Sequence, residues 1–217
     1  MKIAVLGTGN VGTTIGSKLV ELGHEVKMGS RTVGNEKALA FVKAAGDKAS
    51  HGTFEDAAAF GEIIFNCTKG EVSIIVLKLA GAENLKGKIV IDVSNPLHAS
   101  DGMPPSLFIS NTDSLGEEIQ HLFPEAHVVK TLNTMWCGLM VNPRMLHDEH
   151  TVFICGDNAE AKNKTKSILK EFGWRDAEIL DLGDITNARG VESYLPLWLR
   201  TYLATKNGAF NIKVVTA

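Results

Sequence analysis

Hydrophobic and polar positions along the chain follow two alternating periods. Residues 2–6 form a short apolar run rich in β-branched side chains, the pattern of a strand buried on both faces. After a glycine-rich loop, Val11, Ile15, Leu19 and Leu22 recur at helical spacing, and Gly23 stands where such a helix ends. The same alternation predicts a strand at 25–28, a helix at 35–45 capped by Asn35, a short strand at 47–50 and a helix at 54–60 capped by Thr53. It continues with a strand at 62–67, a helix at 71–80, a strand at 88–93, a helix at 111–123 and a strand at 127–132. A shorter second set follows, with strands at 151–155 and 177–180 and helices at 159–172 and 188–206. Segment 98–110, with Pro104 and Pro105, reads as a long surface loop. Strands alternating with helices imply an α/β fold, a mainly parallel sheet covered on both faces. Ligands of such sheets sit at the carboxyl ends of the strands, where the strand order reverses.

At 217 residues the chain is long enough for one domain, with a C-terminal helical extension from about residue 185. A net charge of −3 argues against nucleic acid or an anionic membrane as the main partner. Cys67, Cys137 and Cys155 are odd in number and widely spaced, as expected of reduced thiols in a cytoplasmic protein. Met1 leads directly into a strand, so no signal peptide is expected, and no apolar run approaches the roughly 20 residues of a membrane helix.

The first candidate chemistry lies between the first strand and the first helix. Gly7-Thr8-Gly9-Asn10-Val11-Gly12 matches G-x-G-x-x-G in the context that makes the motif specific. Gly7 permits a tight turn, Gly9 lets the backbone approach a pyrophosphate, and Gly12 lets helix and strand pack closely. The helix N-terminus adds unpaired N–H groups and partial positive charge. A doubly wound Rossmann fold that binds a dinucleotide follows. An NAD-binding fold places a carboxylate at the end of the second strand to accept from the ribose 2′-OH. Here that end reads Gly29-Ser30-Arg31-Thr32. Arg31 can pair with a 2′-phosphate, Ser30 and Thr32 can donate to it, and Lys37 offers a second cation, so NADP(H) is expected rather than NAD(H).

Three further strand-end loops should converge on the nicotinamide. They carry Cys67, Thr68 and Lys69, then Asn95 and Pro96, then Asn133. Cys67 reads as a small buried residue rather than a nucleophile, since no basic partner marks it as activated. Lys69 is either a ligand contact or a solvated lysine. Met135 and Trp136 are candidates to line an apolar pocket for a flat ring, or core residues. In the last helix Arg189 is a candidate substrate contact, and the face bearing Trp198 borders either the substrate or a second subunit. His98, His121, His127, His147 and His150 show neither triad nor metal-ligand spacing, so no metal and no catalytic acid or base is assigned.

The chain resembles the F420:NADP oxidoreductases, the NADPH-dependent F420 reductase family. The resemblance rests on residues 2–12, Gly29-Ser30-Arg31, residues 129–134, residues 152–157, residues 187–193 and Leu195-Pro196-Leu197, in the same order over nearly the whole chain. It implies NADP(H) on the glycine loop, hydride transfer to or from a deazaflavin, and a homodimer. By position, Thr8, Asn10 and Val11 would touch the pyrophosphate, Ser30 and Arg31 the 2′-phosphate, and Thr68, Asn95 and Asn133 the nicotinamide ribose and ring. Membrane ferric reductases carry a similar NADPH-binding domain and pass hydride to a flavin, so FMN or FAD is an alternative acceptor to coenzyme F420. The other readings are an imine or hydroxyacid reductase and an NADPH-sensing protein without turnover.

Overall fold

The computed structural model describes residues 1–98 and 102–216. The chain opens β1 (Lys2–Leu6), α1 (Asn10–Glu21), β2 (Glu25–Ser30), α2 (Glu36–Ala45), β3 (Ala49–Thr53), α3 (Phe54–Phe60) and β4 (Ile63–Asn66). It continues through α4 (Gly70–Ala80), α5 (Ala82–Leu85), β5 (Ile89–Asp92), a two-residue ladder of β6 (Leu97–His98) and β7 (Ser106–Leu107), α6 (Leu115–Leu122) and β8 (His127–Thr131). The last part holds α7 (Cys137–Val141), β9 (Val152–Cys155), α8 (Ala159–Glu171), β10 (Ile179–Asp181), α9 (Ala188–Ser193) and α10 (Leu195–Thr205).

Eight strands form one sheet in the order β3-β2-β1-β4-β5-β8-β9-β10. All neighbours pair in parallel except β8 and β9, which run antiparallel. The chain winds outward from β1 to β3 and returns on the other side of β1 at β4. The carboxyl ends of β1 and β4 therefore flank the point where strand order reverses, the usual ligand position.

The two-residue side-chain period of a strand divides the core. Ile3 and Val5 pack on one face with Ile15 and Leu19 of α1, Phe41 of α2, Leu139 of α7 and Phe172 beyond α8. Ala4 and Leu6 point to the other face, among Phe54 and Ala57 of α3, Leu77 of α4 and Ile119 of α6. Local chemistry sets the element boundaries. The Asn35 side chain accepts from the Lys37 and Ala38 N–H groups at the start of α2. Thr53 and Asp56 form a reciprocal capping box on α3.

Several boundaries differ from the sequence expectation. α6 begins at Leu115 rather than 111, because Asn111 adopts φ 71° and Ser114 is the residue that caps the helix. The strand expected at 47–50 is β3, and the one expected at 177–180 follows a 3-10 turn and begins at Ile179. The final helix is two helices with Tyr194 between them, and Pro196, which lacks an N–H, stands in the first turn of the second. Segment 98–110 contributes β7 to the small ladder, and its residues 99–101 lie outside the described residues. Among the described residues no helix is long and apolar enough to cross a membrane.

Candidate cofactor and acceptor site

The glycine loop has the shape its sequence requires. Gly7 adopts φ +116°, and a Cβ there would lie 2.8 Å from the Cys67 carbonyl oxygen. A Cβ on Gly12 would lie 2.1 Å from the Gly7 carbonyl oxygen, which holds α1 tight against β1. Gly9 is the reverse case, since a Cβ there meets nothing within 4 Å. The loop is thus filled behind by protein and open at Gly9, a cradle suited to a pyrophosphate. The first turn of α1 carries no acidic residue that would repel it.

β2 runs two residues further than the pattern indicated and ends on Ser30. Ser30 is buried, and its hydroxyl donates to the Thr32 carbonyl at 2.7 Å. It therefore shapes the turn, while Arg31 and Thr32 stand exposed beyond it. No described side chain pairs with the Arg31 guanidinium. Lys37 is exposed on the first turn of α2.

A cleft of about 290 Å³ opens where the glycine loop meets the ends of β5 and β8. It brings together Asn10, Val11, Asn95, Asn133, Met135 and Trp136, all singled out from the sequence. Asn95 and Asn133 are locked in a reciprocal pair. Asn95 Nδ2 donates to the Asn133 carbonyl and Asn133 Nδ2 to Asn95 Oδ1, both at 2.9 Å. Met135 is buried, whereas Trp136 is 41% exposed. The cleft also takes Trp198, whose helix face was expected to border either the substrate or a second subunit, together with Cys137 and Leu195, which were not expected there. A second cavity of about 320 Å³ shares Trp136 and Trp198 and adds Tyr202 and residues 207–209. The Trp198 ring stacks between Tyr202, 5.8 Å away, and Phe210, 5.3 Å away.

The remaining candidates lie elsewhere. Thr68 packs on Gly7, and its hydroxyl donates to Asn66 Oδ1 at 2.7 Å. Lys69 is exposed, and neither it nor Pro96 lines the cleft. Arg189 is engaged in a bidentate pair with Glu117, at 2.8 and 2.6 Å, and does not line the cleft. Burial, then the nearby Asp92 carboxylate, pushes the Cys67 thiol well above its ordinary value, so its contribution is the backbone that supports Gly7. Among the described residues no cluster of His, Cys, Asp and Glu could hold a metal.

Beneath the strand ends runs a buried polar network. Asn66 Nδ2 donates to Asp92 Oδ1 at 2.8 Å, and the Ser94 hydroxyl donates to the same oxygen at 2.7 Å. The Lys130 ammonium, fully buried, lies 2.7 Å from Asp92 and 2.6 Å from Glu192. Burial alone would depress the Lys130 pKa, but the two carboxylates hold it above the ordinary lysine value. A sequence signal was available for this network. Lys130 and Asp92 are single charges inside apolar strands, and a charge there needs a buried partner.

The groups lining the cleft are amides, apolar chains, indoles and one thiol. Nothing in it matches a nucleophile with its base, or a paired acid and base. Such a site suits chemistry carried by a dinucleotide and governed by orientation.

The open glycine cradle and the strand order are those of a Rossmann dinucleotide-binding fold. Comparison with known proteins agrees. Residues 2–96 match the family described as NADP oxidoreductase, coenzyme F420-dependent. A crystal structure from Arthrobacter sp. FB24, of a protein provisionally described as an F420-dependent NADP-reductase, superimposes with a TM-score of 0.94 at 47% identity, each chain covered in full. The F420-dependent NADP reductase of Methanocaldococcus jannaschii is 26% identical over 99% of this chain and 98% of its own. Metalloreductase STEAP3 of Rattus norvegicus is 32% identical over 91% of this chain, which spans only 38% of that protein's length. An imine reductase of Myxococcus stipitatus, in complex with NADP+, shares the fold at a TM-score of 0.67 and 15% identity, over 95% of this chain and 63% of its own. The chain belongs to the F420-dependent NADP oxidoreductase family and is an NADP-dependent oxidoreductase.

Proposed function

We propose that the protein passes a hydride between NADP(H) and a planar heterocyclic acceptor, coenzyme F420 or a flavin (FMN or FAD), and acts as a homodimer in the cytoplasm. The observation that carries this reading is the cleft beside the glycine loop, lined by three amide side chains and two indoles. The dinucleotide supplies the reducing equivalent. The protein's part is to bind, orient and exclude water. Gly9 and the α1 N-terminus take the pyrophosphate. Arg31 and Thr32, with Lys37 nearby, take the 2′-phosphate. The Asn95–Asn133 pair presents fixed amide edges to the nicotinamide ribose and carboxamide, with Thr68 behind the glycine loop. Trp136, with the buried Met135 and with Trp198 lining the same cleft, offers an apolar surface on which an acceptor ring can lie against the nicotinamide. No proton donor is required for the transfer itself, which matches the lining.

The test is anaerobic stopped-flow absorbance of NADPH oxidation with coenzyme F420, FMN, FAD, a quinone and a cyclic imine offered separately. Saturable oxidation with F420 or a flavin, and none with the imine, is the expected result. No turnover with F420, FMN or FAD sinks the proposal. Analytical ultracentrifugation tests the homodimer.

A further inference from the structure

The cleft is lined by the segments that follow β5 and β8, by residues of α1 and α7, and, from the far end of the chain, by Leu195 and Trp198 of α10. α10 is amphipathic at best: Leu195 and Leu199 are buried, but Leu197 is 61% and Tyr202 38% exposed. Trp198 of α10 stacks on Phe210 of the following tail, and the N-terminal end of α10 is placed by the short helix before it.

The holding point of that short helix is Glu192, on α9 and only 2% exposed. Its Oε2 accepts from the Leu115 N–H at 2.8 Å, and its Oε1 accepts from the Gly116 N–H at 3.1 Å and from Lys130 at 2.6 Å. One carboxylate thus satisfies two unpaired donors at the N-terminus of α6 and the fully buried ammonium of β8. One residue earlier, the Val191 carbonyl accepts from Asn133 Nδ2 at 3.1 Å. The same Asn133 faces the cleft and is paired with Asn95. The second link from α9, the Arg189–Glu117 pair, is partly exposed and weaker. Glu192 precedes Leu195 by three residues and Trp198 by six, so a shift at the tether is passed directly to the part of the cleft that α10 lines.

We propose that Glu192 is a positioning residue: held by Lys130 and the α6 N-terminus, it fixes α9 and α10 and thereby sets the width of the cleft where the acceptor meets the nicotinamide. This rests on the oxidoreductase reading above. Glu192 touches neither cofactor nor acceptor. Its loss should leave the glycine cradle intact while degrading the acceptor side.

The experiment compares wild type with Glu192→Gln and Glu192→Asp, and with Arg144→Gln, which breaks a partly buried ion pair to Glu178. Three quantities are measured: NADPH affinity by fluorescence titration, kcat and KM for the acceptor, and hydrogen exchange of residues 194–206. Both Glu192 variants should keep NADPH affinity within about twofold, since the cradle is untouched, and lose roughly 10- to 100-fold in acceptor kcat/KM, the scale of an ångström-sized misplacement. Exchange over 194–206 should rise at least tenfold, more in Gln than in Asp. Arg144→Gln should lower thermal stability and change none of the three. Unchanged exchange over 194–206 overturns the proposal, as does a parallel loss of NADPH affinity and acceptor turnover. If wild type turns over no acceptor, the oxidoreductase reading falls and the exchange data alone decide the tether. If Glu192→Gln does not fold, Glu192→Asp, which keeps the charge, carries the comparison.

Discussion

Gly9→Ala separates a loop shaped for a ligand from a loop shaped for the fold. Gly9 has φ −79° and ψ −178°, values that alanine adopts without strain, and an added Cβ meets no atom within 4 Å. The unliganded protein should therefore tolerate the change. Restricting the unfolded chain at an unstrained position is worth about 0.4–1 kcal/mol, which for a chain of this size raises Tm by about 1–4 °C. The open space in front of Gly9 is where the pyrophosphate must approach the backbone. A methyl group there lengthens or breaks one charge-assisted N–H contact, worth about 1.5–3 kcal/mol. That corresponds to roughly a 10- to 150-fold rise in Kd for NADPH. Gly12→Ala is the opposite control. Its Cβ would sit 2.1 Å from the Gly7 carbonyl oxygen, so stability falls first and binding falls with it. The assays are differential scanning fluorimetry without cofactor and fluorescence titration with NADPH. If Gly9→Ala binds NADPH within threefold of wild type, the pyrophosphate does not lie over Gly9 and the cofactor placement is wrong.

Three other outcomes follow from the same structure. Arg31→Gln should lower the NADPH-to-NADH preference in kcat/KM roughly tenfold while leaving NADH unchanged, the low end for a charged hydrogen bond because the guanidinium is exposed; an unchanged ratio removes Arg31 from the 2′-phosphate site. Burial holds the Cys155 thiol at about 12 and raises Cys67 too, so intact-mass analysis should find neither labelled by iodoacetamide at pH 8 until the protein is unfolded; rapid labelling of either in the native state contradicts their burial. Burial would raise the pKa of Asp181, but hydrogen bonds from Lys162 and Lys166 outweigh it and hold the group at about 2. With a folded-state pKa below the ordinary 3.8, its stabilisation is full above about pH 4 and is lost as pH falls toward 2. Tm of Asp181→Asn should therefore sit below wild type at pH 6, with the gap closing between pH 4 and 2; a gap that persists at pH 2 refutes the assignment.

The cofactor half was legible in the sequence because its chemistry is local. Three glycines in six residues, placed after an apolar strand, report backbone demands that Gly7 and Gly12 meet within a single turn. The exposed place of Arg31 just past the end of β2 could be read from its distance downstream of that loop. The side chain beside it was harder to read. Ser30 looked like a phosphate donor, but the strand continues two residues further than its apolar pattern and buries the hydroxyl against Thr32. The acceptor half was legible only in part. Met135 and Trp136 follow β8 and fall in the cleft, whereas Arg189, the other candidate substrate contact, is taken up by Glu117 from a different helix. Periodicity also read residues 188–206 as one helix, whereas the structure holds two with Tyr194 between them.

That contrast bears on where a change of acceptor could arise. The cofactor cradle comes from one contiguous stretch and depends on backbone positions, so substitutions in it should alter stability, as at Gly7 and Gly12, or affinity for NADP(H), as at Gly9, without reshaping the acceptor surface. The cleft where nicotinamide and acceptor would meet is assembled from parts far apart in sequence. Asn95, Asn133 and Val191 are joined by hydrogen bonds across 38 and 58 residues, and Trp198 is stacked on a tail that returns to bond Thr151. Within that assembly the tether is made of fully buried charges, which tolerate little, whereas Trp136 and Tyr202, which line the two cavities, are partly exposed. Substitution at these outer positions reshapes the acceptor surface without disturbing either the dinucleotide or the ion network beneath it. Family members that share the cradle can on this account diverge in acceptor through residues 135–137 and 195–210 alone. Exchanging those two segments for a relative's should transfer acceptor preference while NADPH affinity stays put. A chimera that instead loses NADPH binding would place the cofactor's ring, and not only the acceptor, on the C-terminal wall.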